Sequence, residues 1–210
     1  GANGCEGPSA QITMNIREAL AQPGVITGPA EVCVNAVGQI FSVAVNPPAM
    51  PIGGVTDYQW TVPAGWTITA GQGTRQITAN IGGATGSQTV SVINRYTSAP
   101  NCPSSSQTLS VTVSPLSVGG SITGGTTPLC KGSNTGVMTL SGHTGSIIRW
   151  EKRVNAGGWA NIANTLTTYS EIPASAGTWD YRALVQSGSC STIYSANRTI
   201  VVSPTTVPGT

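Results

Sequence analysis

Charged side chains are the scarcest component of this sequence. Only 8% of the 210 residues are charged, against roughly 25% in an average soluble protein. The formal net charge of +2 is too small to indicate a nucleic-acid partner. No apolar run reaches the length of about 18 residues that marks a transmembrane helix, so we predict no membrane insertion.

Side chains that carry catalysis are equally sparse. The seven acidic residues are spread along the chain, and no pair of carboxylates suggests glycoside hydrolysis. The only histidine, His143, lies in a glycine-rich turn that is typical of a surface loop. We therefore predict no enzyme, no catalytic residue and no bound cofactor. A calcium site near Asp57 or Asp180 stays open, because carboxylates with backbone carbonyls can hold that ion.

The five cysteines do not form a Cys-x-x-Cys pair, and zinc usually needs clustered cysteine and histidine ligands. Widely spaced cysteines are more typical of disulfides in an oxidising compartment. This favours an extracellular protein.

Alternating apolar residues dominate what is present. Tyr58, Trp60 and Val62 alternate with polar neighbours before a proline and a glycine stop the strand. We expect Trp60, and Trp150 in a similar run downstream, to lie in the two cores. Short runs of this kind recur at roughly ten-residue spacing, which predicts an all-β protein built from antiparallel sandwiches.

The chain also repeats itself. Cys5 and Cys102 stand 97 residues apart (102 − 5), as do Cys33 and Cys130 (130 − 33). A shared period at two landmarks indicates a tandem array.

The repeat divides the chain into four segments. We predict the last strand of a preceding repeat with a linker at 1–22, a complete sandwich at 23–114, a second at 115–204, and a tail or linker at 205–210.

The repeat also predicts the disulfides. Each sandwich should be closed at one end by its own bridge, Cys33–Cys102 in the first and Cys130–Cys190 in the second. Cys5 then has no partner inside this sequence, and we expect its partner upstream.

Three segments of the first repeat resemble the PKD-like repeats of secreted and surface proteins of Bacteroidota: Cys33, Tyr58-x-Trp60-Thr61-Val62-Pro63-x-Gly65-Trp66, and Gly71-Gln72-Gly73-Thr74. Three segments of the second resemble another Ig-like repeat of that phylum: Gly142-x-Thr144-Gly145-Ser146 to Trp150-Glu151, Trp159-x-x-Ile162-Ala163, and Tyr181-Arg182-Ala183 to Ser187-Gly188-x-Cys190. The resemblance implies Ig-like sandwiches, a stalk or adhesive role, type IX secretion, and the setting of gliding-motility adhesins.

Candidate contacts for a ligand are few. Arg149 and Arg153 share one strand face with Glu151, which is either a solvated outer face or a patch for an acidic glycan. Tyr96 and Tyr194 lie near turns and could expose an aromatic platform for a sugar.

The sequence thus predicts a structural or adhesive repeat fragment of a long bacterial cell-surface protein, which acts as a disulfide-pinned stalk that presents or contributes to adhesion. The alternative is a non-catalytic carbohydrate-binding module of a secreted enzyme. We expect a monomer whose partners are adjacent repeats and a polysaccharide or other surface ligand.

Overall fold

A computed structural model of the protein describes residues 20–44, 56–97 and 102–204. Within these ranges all regular structure is β-strand, so the all-β prediction is confirmed. No helix that is long and apolar enough to cross a membrane occurs among them.

In the described part of the first sandwich, eight strands form two four-stranded sheets in the orders β1-β3-β6-β5 and β2-β8-β7-β4. Their bounds are β1 Ile26–Thr27, β2 Glu31–Cys33, β3 Gln39–Val43, β4 Thr56–Thr61, β5 Thr67–Ala70, β6 Gln76–Asn80, β7 Gly86–Tyr96 and β8 Gln107–Ser114. All neighbouring strands are antiparallel except β2 and β8, which are parallel.

The core of the first sandwich lies between these sheets, because the period of two sends alternate side chains inward. Trp60 on β4 is 3% exposed and Trp66, which follows it, is 7% exposed. Phe41 on β3 packs against Trp66 with ring centroids 6.1 Å apart. The expectation that Trp60 belongs to the core is confirmed.

The Gly71-Gln72-Gly73 motif supports this core strand. Gln72 uses its side-chain amide as a strand would use its backbone: Nε2 donates to the Trp60 carbonyl at 3.1 Å, and Oε1 accepts from the Trp60 amide at 3.3 Å. Gly71 and Gly73 have φ values of +85° and +90°, which L-residues with a Cβ rarely adopt. The motif is therefore structural.

Nine strands form the second sandwich, with sheets in the orders β14-β11-β9 and β10-β17-β15-β12-β13, and with β16 paired to β15. Their bounds are β9 Ser121–Gly124, β10 Leu129–Cys130, β11 Met138–Ser141, β12 Ser146–Val154, β13 Ala160–Ile162, β14 Thr168–Tyr169, β15 Gly177–Gln186, β16 Ile193–Tyr194 and β17 Arg198–Ser203.

A bulge in β12 decides which of its residues face this second core. The register with β15 shifts between Ile147 and Arg149, so Ile147 and Trp150 are both buried while Ile148 is 41% exposed. Strict alternation would have placed Ile148 beside Trp150. The extra residue instead brings Ile147 to the same side as Trp150.

Each sandwich has its own hydrophobic core among the described residues. The first core extends to Val113 and the second begins at Ile122. The residue-level boundaries given above stay predictions. Residues 1–19 and 205–210, and with them Cys5, lie outside the described residues.

Candidate functional site: the disulfide-bridged junction

A disulfide joins the two sandwiches. Cys33 of the first bonds to Cys190 of the second, with their Cα atoms 4.8 Å apart and a sequence separation of 157. We call the contact around this bond the junction: Glu31, Cys33, Ser114, the linker 115–120, and the loop Ser187–Cys190.

The first sandwich contributes its last strand and the short strand beside it. Because β2 runs parallel to β8, Cys33 lies opposite Ser114, the last residue of the sandwich. The Val34 amide donates to the Ser114 carbonyl at 2.9 Å. The thiol position is thus fixed by backbone pairing at the end where the chain leaves the sandwich.

The second sandwich contributes the loop that follows β15. The Cys190 amide donates to the Ser187 carbonyl at 2.9 Å, and Gln186 Nε2 donates to the Cys190 carbonyl at 3.0 Å. Cys190 is 2% exposed, and its Sγ lies 3.1 Å from the carbonyl oxygen of Pro115. Burial of this sulfur limits access of a reducing thiolate to the bond.

Gly188 lets the loop approach this closely. A Cβ at this position would lie 1.7 Å from Glu31 Oε1 and 2.1 Å from Ser114 Oγ. Ser114 Oγ itself donates to Glu31 Oε1. A Cβ here would require the Glu31 and Ser114 side chains to move, and the φ of +47° also favours glycine.

The linker is held against the second sandwich rather than free. Ser117 Oγ accepts from the Ser187 amide at 2.9 Å. Val118 and Thr144 exchange two backbone hydrogen bonds of 3.2 and 3.0 Å. A Cβ on Gly119 would lie 2.0 Å from the Tyr194 carbonyl oxygen. The junction therefore combines a covalent bond with a docked linker.

The predicted bridges Cys33–Cys102 and Cys130–Cys190 are wrong in this structure, in which Cys102 and Cys130 are free and exposed. The reason is the parallel pairing of β2 with β8, which places Cys33 where β8 ends. Cys102 precedes the other end of β8, whose eight residues span about 25 Å at the rise of a strand. A disulfide tolerates no more than about 7 Å between Cα atoms.

The candidate ligand residues of the second sandwich meet on its outer face. Arg149 Nε donates to Glu151 Oε1 at 2.8 Å, and Arg153 Nε donates to Asp180 Oδ2 at 2.9 Å. Tyr194 OH donates to Glu151 Oε1 at 3.2 Å. Three of the four residues proposed from the sequence thus belong to one surface.

Arg182, which the sequence did not single out, is the centre of this surface. Its guanidinium carbon lies 3.8 Å from the Trp159 ring centroid and 3.5 Å from that of Tyr194, so it is stacked between the two rings. It also donates to Glu151 Oε2 at 2.8 Å. The alternation along β15 put Arg182 on this face, but only the sheet places it between two aromatic rings.

Ion pairs within the outer face neutralise part of its positive charge. Burial would raise the pKa of Glu151, whose side chain is 3% exposed, but hydrogen bonds and charge from Arg182 and Arg149 outweigh it and hold that pKa below its usual range. The ionised carboxylate neutralises part of the positive patch. Binding of an acidic glycan through Arg149 and Arg153 stays a prediction.

Tyr96 does not belong to any exposed platform. It is 2% exposed, because it continues the inward phase of Val90 and Val92 at the end of the long strand β7. That alternation was visible in the sequence and would have placed Tyr96 in the core. Tyr194, by contrast, is 40% exposed.

The two carboxylates considered for calcium are engaged by arginines. Asp57 accepts from Arg95 at 2.8 and 3.1 Å, and Asp180 accepts from Arg153 and from Thr199 at 2.6 Å. In the part of the chain that the structure describes, His, Cys, Asp and Glu form no group of three that could hold a metal. Calcium binding stays a prediction.

Known families match both halves of the chain. Residues 19–113 match the model of a PKD-like domain. Residues 118–204 match a model described as Domain of unknown function (DUF8696). The search of curated proteins found no match.

Solved structures resemble the chain in fold. A marsupial T cell receptor aligns with a TM-score of 0.58 at 10% identity, covering 88% of this chain and 74% of that one. The FN1–FN3 domains of chicken CNTN1 align with a TM-score of 0.36 at 12% identity, covering 88% and 67%. At such identities the receptor shows the fold alone, and the two halves are Ig-like β-sandwiches.

A chain with a PKD-like domain and a disulfide between its two sandwiches is compatible with a structural module of an extracellular protein. Ig-like and PKD-like sandwiches are typically non-catalytic. These statements concern class and setting, and they name no ligand.

Proposed function

We propose that this chain is a structural repeat pair of an extracellular protein, in which a disulfide fixes one sandwich against the next. The observation that carries the proposal is the Cys33–Cys190 bond, which crosses from one hydrophobic core unit to the other. A bridge inside a sandwich would stabilise that sandwich only. A bridge across the linker instead restricts rotation of the two units about each other.

The surrounding contacts support a mechanical role. Gly188 fits against Glu31 and Ser114, and the linker is paired to the second sandwich through Val118. A proline at 115 stiffens the linker further. Such a joint transmits a pull along the chain without letting the repeats swing.

The resemblance to Bacteroidota surface repeats extends the proposal. In that setting the pair is part of a secreted stalk that presents or contributes to adhesion at the cell surface. Sparse charge and buried sulfur both suit a folded segment that faces an oxidising exterior.

Residual dipolar couplings test the joint directly. The measurement uses the variant C5S/C102S/C130S, which keeps only the bridging cysteines, and compares it with the same variant carrying C33A/C190A. With the bridge, both sandwiches should report one alignment tensor, and without it the tensors should differ in magnitude. Different tensors with the bridge formed, or one shared tensor after its removal, would contradict the proposal.

A further inference from the structure

Cys130 occupies in the second sandwich the position that Cys33 occupies in the first. Strands β2 and β10 are each parallel to the last strand of their own sandwich. Cys33 lies opposite Ser114 in that pairing, and Cys130 lies opposite Ser203. In each sandwich the cysteine therefore marks the end at which the chain leaves.

The backbone around the two cysteines also matches. The amide of Lys131 donates to the Ser203 carbonyl at 2.9 Å, as the amide following Cys33 does to Ser114. Three residues after each cysteine, an amide donates back to the cysteine carbonyl at 3.1 Å. A proline follows each of the paired serines. The two sites are thus the same local structure.

The sites differ in what covers them. Ser114 is 7% exposed because the loop Ser187–Cys190 lies on it, and Cys33 is bonded. Cys130 is exposed and free, and Ser203 is only half-buried. The bonded state of Cys33 is an independent observation of what this local structure binds: the thiol of a neighbouring sandwich.

We propose that Cys130 is a covalent attachment site for a further β-sandwich, which presents a Gly-x-Cys loop like Gly188-Ser189-Cys190 against the end of β10 and β17. The inference rests on the proposed function, because it extends the same joint to the next position. Cys102 fits the series from the other side: it lies in the loop between β7 and β8, which corresponds to the loop that carries Cys190 between β15 and β17.

Bond formation is a two-electron oxidation of two thiols. One thiolate attacks a small-molecule disulfide such as oxidised glutathione, forms a mixed disulfide and releases one thiol. The second thiolate attacks the protein sulfur and releases the other. The two cysteines lose two protons and two electrons in total, and the oxidant is reduced to two thiols.

One side chain differs between the two sites. Pro128 precedes Cys130 by two residues, where Glu31 precedes Cys33. The hydrogen bond between Ser114 and Glu31 consequently has no counterpart at Ser203. The loop that docks on Cys130 must fit against a proline ring there.

The test extends the full chain by a third sandwich. Residues 116–210 are appended directly after Pro204, so that the natural Ser-Pro connection is repeated. Substitution C102S leaves one cysteine in the tryptic peptide that contains Cys130. In the appended copy Asn197→Gln marks the peptide of its Cys190 by mass. The sample is folded in a glutathione redox buffer, alkylated and mapped without reductant.

We expect Cys130 to be bonded to the mass-marked Cys190, because the linker holds both thiols at an effective concentration on the order of mM. The Cys130 of the appended copy is the matched control: no sandwich follows it, so it should stay open to alkylation. A second fusion with Pro128→Glu restores the carboxylate seen at the first junction. If Cys130 stays alkylated in both fusions while Cys33–Cys190 forms, the attachment site is refuted and the proposed function stands. Absence of Cys33–Cys190 itself would overturn both.

Discussion

Removal of the bridge by C33A/C190A should destabilise both sandwiches. The bond closes a loop of 157 residues, and closing a loop of that length removes about 5 kcal/mol of unfolded-state entropy at 25 °C on the chain-entropy model. When only one sandwich unfolds, the effective loop is roughly half as long. Halving the length lowers the effect by only about 0.6 kcal/mol. The sandwich that unfolds first should therefore lose about 4–5 kcal/mol, and the one that unfolds second only about 0.6 kcal/mol.

Urea unfolding measures this loss. With an m-value of about 1–3 kcal/mol/M for a domain of this size, the midpoint of the first transition should fall by about 1.5 M or more, and that of the second should move little. Tryptophan fluorescence follows both transitions, since Trp60 and Trp150 are core residues of the first and second sandwich.

The matched control is C102S/C130S, which removes two exposed, free thiols. It should leave the free energy of unfolding of both sandwiches within about 0.5 kcal/mol of the parent. Unchanged midpoints in C33A/C190A, with the bond mapped in the parent, would refute the chain-entropy reasoning.

Three smaller perturbations test the contacts. Gly188→Ala should shift the equilibrium of the disulfide with glutathione about tenfold or more towards the reduced form. A left-handed φ costs a Cβ-bearing residue about 1–2 kcal/mol, and the Glu31 side chain blocks the added methyl group. Adding Glu31→Ala should remove the steric contribution to this shift and leave the backbone contribution. Glu151→Gln should lower the free energy of unfolding of the second sandwich, measured in urea, by about 2 kcal/mol at neutral pH. Because the pKa of Glu151 is depressed in the folded state, its carboxylate stabilises the fold above the ordinary glutamate pKa and loses that effect as the pH falls. The difference between parent and variant should therefore vanish in acid. Burial raises the pKa of Tyr169 and Tyr181, and hydrogen bonding to the Glu171 carboxylate raises it further. Both phenols therefore stabilise the folded state fully below the ordinary tyrosine pKa of about 10, and this stabilisation is lost as the pH rises above it. Phenolate absorbance in an alkaline titration should show both tyrosines unionised until the second sandwich unfolds.

Alternation and turn residues were enough to predict the class of fold. Trp60 and Trp150 were placed in two separate cores because a period of two leaves no other face for an indole between polar neighbours. The repeat of 97 residues equated Cys33 with Cys130, and the strand pairing bears this equivalence out. Local patterns carry this information because side-chain direction in a strand follows from the backbone alone.

Where the pattern was interrupted, the sequence misled or said nothing. The bulge before Arg149 turns Ile148 to the outside, and no residue of the strand indicates in the sequence that a bulge occurs there. Tyr96 was taken for a turn residue, although its phase with Val92 puts it inside. Arg182 became the centre of the outer face only when the sheet brought Trp159 and Tyr194 to either side of it.

The sequence by itself determined the class of fold and the repeat, because alternation and cysteine spacing are properties of the linear chain. The tertiary structure alone decided which cysteines meet. The sequences of β2 and β8 do not show whether the two strands pair parallel or antiparallel. The direction of pairing nevertheless decides at which end of the sandwich Cys33 lies. A disulfide forms only between cysteines whose Cα atoms are close, so Cys33 bonds to Cys190 across the junction and not to a cysteine of its own sandwich.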